Sequence, residues 1–119
     1  MSATPHQITL TFPVRTYDID FVGIVSNIVY IRWLEDLRLQ MLADYFPLDV
    51  AMQVQGIAPV LLRTEIDYKR AIRLFDAVQG RMALAEAGPV RQVLQAEFTV
   101  DGRLHAAARQ TTCFIDLAS

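Results

Sequence analysis

Two carboxylates stand just ahead of a long apolar-striped segment, in the order Asp18-x-Asp20-x-x-Gly23-x-Val25-Ser26-Asn27. A carboxylate held near an electrophilic carbonyl can attack it or take the proton from an attacking water. Ser26 and Asn27 are both suitable helix N-caps, and a helix start exposes unpaired N–H groups and the positive end of the backbone dipole. A carbonyl oxygen placed there is polarised, and negative charge developing on it is stabilised. The segment thus has the parts for attack on an acyl group. Taken alone, an aspartate in a loop before a helix is more commonly a cap or turn residue.

Other chemistry is poorly supplied. The chain has no glycine-rich phosphate loop, no paired-histidine metal spacing and no Gly-x-Ser-x-Gly elbow. His6 lies near the N-terminus, His105 follows an Asp101-Gly102 turn signal as an ordinary strand residue, and Cys113 reads as a small core residue late in an apolar strand. Two histidines and one cysteine are too few for a typical structural zinc site, so neither metal nor cofactor is expected. Lys69, Arg70 and Arg73 cluster near a predicted turn, where they form a solvated rim or meet an anionic ligand. A single lysine among eleven basic residues leaves arginine to make most cationic contacts, which favours bidentate pairing with phosphate or carboxylate.

The elements that must position these residues follow from periodicity. Ile8, Leu10, Phe12 and Val14 alternate with polar residues, which predicts a half-buried strand over 7–17. The glycine-bearing stretch 17–25 breaks the alternation and reads as a loop. From Ser26 the period changes: Tyr30, Leu34, Leu37 and Met41 recur at helical spacing, predicting one long helix over about 26–46 that stops at Pro47. Residues 48–55 have room for another turn or two before Gly56. Val60, Leu62, Thr64, Ile66 and Tyr68 alternate toward one face of a second strand, and a tight connection near Arg73 and Leu74 leads to strands over 75–87, 90–100 and 103–117. Gly88-Pro89 and Asp101-Gly102 mark the turns between them, the latter suiting a type I′ hairpin. The expected class is α+β: one long helix packed on a five-stranded antiparallel sheet whose later strands are joined by short turns.

Composition bounds the function. A chain of 119 residues is one domain's worth, and 53% hydrophobic content excludes disorder. The net charge of −2 lacks the basic excess of a nucleic-acid binder, and no apolar run reaches membrane-spanning length. With one cysteine and no recognisable signal peptide, a cytoplasmic protein is expected. The chain is also more apolar than a small monomer needs, which points to surface buried against another subunit.

The stretch Asp18-Ile-Asp20-Phe-Val-Gly23-Ile-Val25-Ser-Asn27-Ile-Val-Tyr30-Ile-Arg-Trp33-Leu-Glu35 resembles the signature of hotdog-fold acyl thioesterases. It is most similar to the 4-hydroxybenzoyl-CoA thioesterase-like group and the acyl-carrier-protein (acyl-ACP) thioesterases. Glu65-Ile-Asp-Tyr68-Lys-Arg-Ala71-Ile-Arg-Leu-Phe75-Asp76 resembles the strand and turn that follow, with Ala71 where that group usually has proline and Phe75 where it usually has glycine. The resemblance implies a hotdog fold, hydrolysis of an acyl-CoA or acyl-ACP thioester, and a homodimer or homotetramer with sites between subunits. It implies that Asp20 is the catalytic nucleophile or general base and that the backbone N–H of Asn27 polarises the thioester carbonyl. Gly23 and Ser26 would pass close to the substrate, and Arg91, after the Gly88-Pro89 turn, would meet CoA phosphates.

Departures accompany the likeness. Val22 and Ile24 stand where plant-type acyl-ACP enzymes carry asparagine and histidine, so any hydrolysis must use the simpler scheme of Asp20 and a helix start. The same losses fit a non-hydrolytic acyl-binding subunit. Glu35, Glu65 and Thr64 are the candidates for a contribution from a second subunit. A hydratase on the same fold fits less well, because neither histidine lies near Asp20 in sequence.

Overall fold

The structure is a computed structural model that describes residues 6–46 and 51–117, the side chains of residues 51 and 52 aside. Five strands, β1 (Gln7–Pro13), β2 (Ile57–Tyr68), β3 (Ala77–Ala87), β4 (Arg91–Val100) and β5 (Arg103–Asp116), form one antiparallel sheet. One long helix, α1 (Asn27–Tyr45), lies across it. This is the α+β arrangement expected from the sequence, and α1 begins and ends within a residue of the predicted bounds. Its buried stripe is Val29, Tyr30, Trp33, Leu34, Leu37 and Met41. A π-helical turn, Ala51–Gln55, occupies part of the expected helical extension; residues 47–50 lie outside the described set.

The helix packs on Ile8 and Phe12 of β1, Val78 and Met82 of β3, Leu94, Ala96 and Phe98 of β4, and Ala106 and Ala108 of β5. Phe98 is fully buried, and its ring meets those of Phe12, Tyr30 and Trp33 at centroid distances of 6.2, 5.7 and 5.7 Å. The alanines opposite let the helix approach the sheet closely. At Gly80 an added Cβ would sit 2.5 Å from Phe12 Cε2 and 3.2 Å from Leu37 Cδ1, so the glycine is there for space.

Three local expectations are corrected. The first strand ends at Pro13 rather than running to 17, since proline has no N–H for the ladder, and Thr16–Asp18 form a 3-10 turn instead. In β2 a bulge between Leu61 and Arg63 breaks the alternation. Ile66 and Tyr68 keep the core face, but Leu61 rather than Leu62 is registered with Thr112, and Val60 is registered with Cys113. Finally, β2 does not form a hairpin with β3. The sheet order is β1-β3-β4-β5-β2, so β2 pairs with β5 at one edge. The connection after β2 is diverted because its residue Ile72 is buried and its carbonyl accepts the Val25 N–H at 2.8 Å. It therefore runs past the helix start before entering β3.

Candidate active site

The loop before α1 closes on itself as a miniature hairpin. Ser26 N donates to Asp18 O at 2.9 Å, Ile19 pairs with Val25, and Asp20 N donates to Ile24 O at 2.8 Å. Gly23 N then donates to Asp20 O at 3.0 Å, leaving Phe21 and Val22 at the tip. Gly23 has φ +90°, a conformation in which a Cβ is strained, although nothing else would obstruct one there. A second tie, Ile24 to Arg73, anchors the hairpin to the connection following β2.

The two carboxylates separate into different roles. Asp18 is buried, and its Oδ2 accepts the Arg15 N–H at 2.9 Å, so it caps the 3-10 turn and holds the loop base. Asp20 is half-buried. Its Oδ1 accepts N–H groups from Val22 at 2.9 Å and Ile24 at 3.4 Å, a turn bond of the kind short acidic side chains favour. Its Oδ2 has no hydrogen-bond partner among the described residues. One oxygen thus orients the group and the other is available for chemistry. The hydrogen bonds Asp20 makes are those of a turn aspartate.

Asn27 opens the helix and is exposed, with Ser26 extended at the N-cap position but making no side-chain cap bond. Val29 N donates to Ser26 O at 3.0 Å, whereas the N–H groups of Asn27 and Ile28 have no acceptor among the described residues. Two unpaired amides at the positive end of a 19-residue helix constitute a site for a polarised carbonyl oxygen. The structure therefore brings Asp20, Gly23, Ser26 and Asn27 together on one closed loop.

Arg91 is not brought there. It begins β4, whereas the Asp20 loop lies beyond the end where β4 finishes, roughly 30 Å away at ~3.3 Å per residue. Glu35 is ion-paired with Arg38 on the helix surface, Glu65 with Arg63 on β2, and Thr64 accepts a hydrogen bond from Gln110 Nε2 at 3.1 Å. His6 stacks edge-on against Tyr45 at the far end of α1, and His105 lies on β5 with Nδ1 2.8 Å from Arg103 O. No group of metal-ligating side chains occurs among the described residues.

Beneath the helix start, Tyr30 packs edge-on against Tyr68 at 5.0 Å, and its phenol is pushed up to about 12 by burial and by the Tyr68 phenol. It is a neutral support for the first helical turns. Two features were not read from the sequence: the tie from Val25 to Ile72, and the exposure of the rings of Phe21 and Phe75 beside this site. Phe75 lies at φ +74° in the turn Arg73–Asp76, the position where the resembling group has glycine. Positive φ explains that glycine; here an aromatic residue bears the conformation instead.

A profile of the thioesterase-like superfamily matches residues 14–119. The chain belongs to this superfamily. Thioester hydrolysis is the activity class that membership supports, and the five-stranded sheet with its single helix is the hotdog fold. Several solved structures share it. A probable thioesterase from Bartonella henselae is 18% identical with a TM-score of 0.84, covering 92% of each chain. A 1,4-dihydroxy-2-naphthoyl-CoA thioesterase from Synechocystis is 19% identical at 0.82, covering 93% of this chain and 83% of that one. A 4-hydroxybenzoyl-CoA thioesterase, solved as an aspartate-to-asparagine mutant with 4-hydroxybenzoyl-CoA, is 16% identical at 0.88, covering 96% and 87%. No curated protein sequence matches the chain. No helix among the described residues of this thioesterase-like chain is long and apolar enough to cross a membrane.

Proposed function

We propose that this thioesterase-like protein hydrolyses an acyl-CoA or acyl-ACP thioester to a carboxylic acid and a free thiol, with Asp20 as nucleophile or general base. The observation that carries the reading is the division of labour on the Asp20 carboxylate: Oδ1 is fixed by two loop amides while Oδ2 is unpartnered. The thioester carbonyl oxygen takes the N–H of Asn27, and charge formed on it during attack is stabilised by the helix start. Gly23 and Ser26 keep the loop backbone close enough for the acyl group to pass. With Asp20 as general base, water adds to the acyl carbon and supplies the new oxygen of the acid. With Asp20 as nucleophile, the carboxylate displaces the thiol and water then opens the acyl–aspartyl anhydride. In both routes the thiolate leaves and takes up a proton.

The assembly expected is a homodimer or homotetramer. Strands β1 and β2 are both sheet edges, and the 12-residue β2 carries the exposed Leu61 and Leu62. Open edges of this length invite pairing. A solution mass near 13.4 kDa would contradict this part of the proposal.

A screen of aromatic and short- to long-chain acyl-CoAs, read by thiol release with Asp20→Ala as the blank, tests the activity. Thiol release by the wild type and its loss in the variant are expected. Tight acyl-CoA binding without thiol release would favour the non-hydrolytic reading instead. A single turnover in oxygen-18 water then bears on the role of Asp20: a general base puts the label in the product acid, whereas an acyl–aspartyl anhydride opened at the aspartyl carbonyl leaves the acid unlabelled and the label on Asp20.

A further inference from the structure

Two carboxylates other than Asp20 make the same local device. Asp18 Oδ2 accepts the Arg15 N–H at 2.9 Å, while Asp18 N donates to Arg15 O at 2.9 Å. Asp76 Oδ2 accepts the Arg73 N–H at 2.8 Å, while Asp76 N donates to Arg73 O at 3.1 Å. Each Arg-x-x-Asp unit, Arg15–Asp18 and Arg73–Asp76, is thus a four-residue turn closed twice, once by backbone and once by the acid. The second closure is the stronger kind, because a hydrogen bond to an ionised acceptor is about twice as strong as a neutral one.

Both turns are tied to the Asp20 hairpin. Asp18 O accepts the Ser26 N–H at 2.9 Å, which fixes the hairpin's base directly before Asn27. From the other turn, Arg73 is bridged to Ile24, and Ile72 O accepts the Val25 N–H at 2.8 Å. Ile24 is in turn the residue that holds Asp20. Its carbonyl accepts the Asp20 N–H at 2.8 Å, and its N–H donates to Asp20 Oδ1 at 3.4 Å. Hydrogen bonds and peptide links therefore run without a break from the Asp76 carboxylate, through Arg73 and Ile24, to the Asp20 carboxylate.

The Arg73–Asp76 turn depends on its acid. Phe75 within it stands at φ +74° with its ring 91% exposed, so neither backbone preference nor packing of that ring keeps the turn closed. Ile72 is fully buried and anchors the connection on the side before the turn. On the side after it, the Asp76 carboxylate supplies the closing bond. Asp18 is buried at the loop base, whereas Asp76 is only half-buried, so Asp76 is the one of the two whose removal can be separated from folding.

We propose that Asp76 is a positioning residue for the reaction: its carboxylate closes the Arg73–Asp76 turn, the turn sets the bridge to Ile24, and the bridge aligns Asp20 with the carbonyl held at the helix start. Asp76 meets no part of the substrate and acts through Asp20. The proposal rests on the reading of Asp20 as the reacting group, and it adds that the placement of this group is set from outside its own loop.

Steady-state hydrolysis of the best acyl-CoA substrate by Asp76 variants, alone and combined with Asp20→Asn, tests this, with thermal melts to confirm folding. Asp76→Ala should lower kcat by roughly 10- to 100-fold with KM little changed, the upper figure being the cost of ~1 Å of misplacement at a reacting group. Asp76→Asn keeps an oxygen for the Arg73 N–H and should recover most of the lost turnover. Asp76→Glu keeps the charge but not the short reach, so it should behave as alanine does and serves if the alanine variant fails to fold. In the Asp20→Asn background Asp76→Ala should cost nothing further, because residues that act through one group are not additive. Amide hydrogen exchange at Ile24 and Val25 should quicken in Asp76→Ala while that of β4 does not. Wild-type kcat in the folded alanine and glutamate variants, a rise in KM alone, or an undiminished cost in the Asp20→Asn background would overturn the proposal. So would unchanged exchange at Ile24 and Val25. Wild-type turnover by Asp20→Asn itself is the separate result that would refute the underlying reading of Asp20.

Discussion

Replacing Phe75 isolates a strain that can be valued from the structure. Its φ of +74° places it in the left-handed region, which costs an L-residue about 1–2 kcal/mol relative to glycine. With 91% of its surface already in water, the ring contributes little burial to lose. Phe75→Gly removes the steric conflict but gives the unfolded chain more freedom, a counter-term of ~0.4–1 kcal/mol. The net expectation is a gain of ~0.5–1 kcal/mol, which for a domain of this size is a rise of roughly 2–6 °C in Tm. Phe75→Ala is the comparator, because alanine retains the Cβ and should remain close to wild type. Chemical denaturation of the three proteins at one fixed protomer concentration is the assay, since an oligomer's stability varies with concentration. A glycine variant no more stable than the alanine variant would refute the strain argument.

Two further predictions concern the scaffold. Gly80→Ala forces a Cβ to within 2.5 Å of Phe12 Cε2, so it should destabilise by about 1–3 kcal/mol in urea unfolding; an unchanged midpoint would show that β1 yields more easily than its packing suggests. For Tyr30, the folded-state pKa of about 12 lies above the ordinary value of 10.0, so the unfolded chain releases this proton first as pH rises. The stability from keeping Tyr30 neutral is present below pH 10 and is lost between pH 10 and 12, up to ~3 kcal/mol at the fully buried limit. Unfolding measured across that window should show a shallower alkaline loss for Tyr30→Phe than for wild type.

Much of the scaffold was legible because its signals are local. The helix bounds follow from the apolar spacing of Tyr30, Leu34, Leu37 and Met41 and from Pro47. The Asp101-Gly102 hairpin follows from two residues that tolerate positive φ, observed at +51° and +77°. What escaped was long-range or one-residue detail. Nothing in the alternation of β2 discloses that it pairs with β5, because that choice is made by the diverted connection through Ile72. The bulge near Leu61 shifts every residue before it by one face, a change that periodicity over a whole strand averages away. At the site, residue order and the family resemblance marked Asp20 and Asn27 as candidates, but the split between Asp18 as a buried cap and Asp20 with one unpartnered oxygen is visible only in the folded loop. For Arg91 the sequence does not disclose distance: it stands at the opposite end of β4 from the Asp20 loop of its own chain.

The role of Asp20 is tested most directly by Asp20→Asn in steady-state hydrolysis of the best acyl-CoA substrate, with unfolding of the same protein measured in parallel. Asparagine presents an Oδ1 that can still accept the Val22 and Ile24 amides, so the loop and the melting temperature should be preserved. It has no carboxylate to attack the thioester or take a proton from water, so kcat should fall by roughly 100- to 10,000-fold. A folded Asp20→Asn protein that turns over at the wild-type rate would contradict the assignment of Asp20 as the group that carries the reaction.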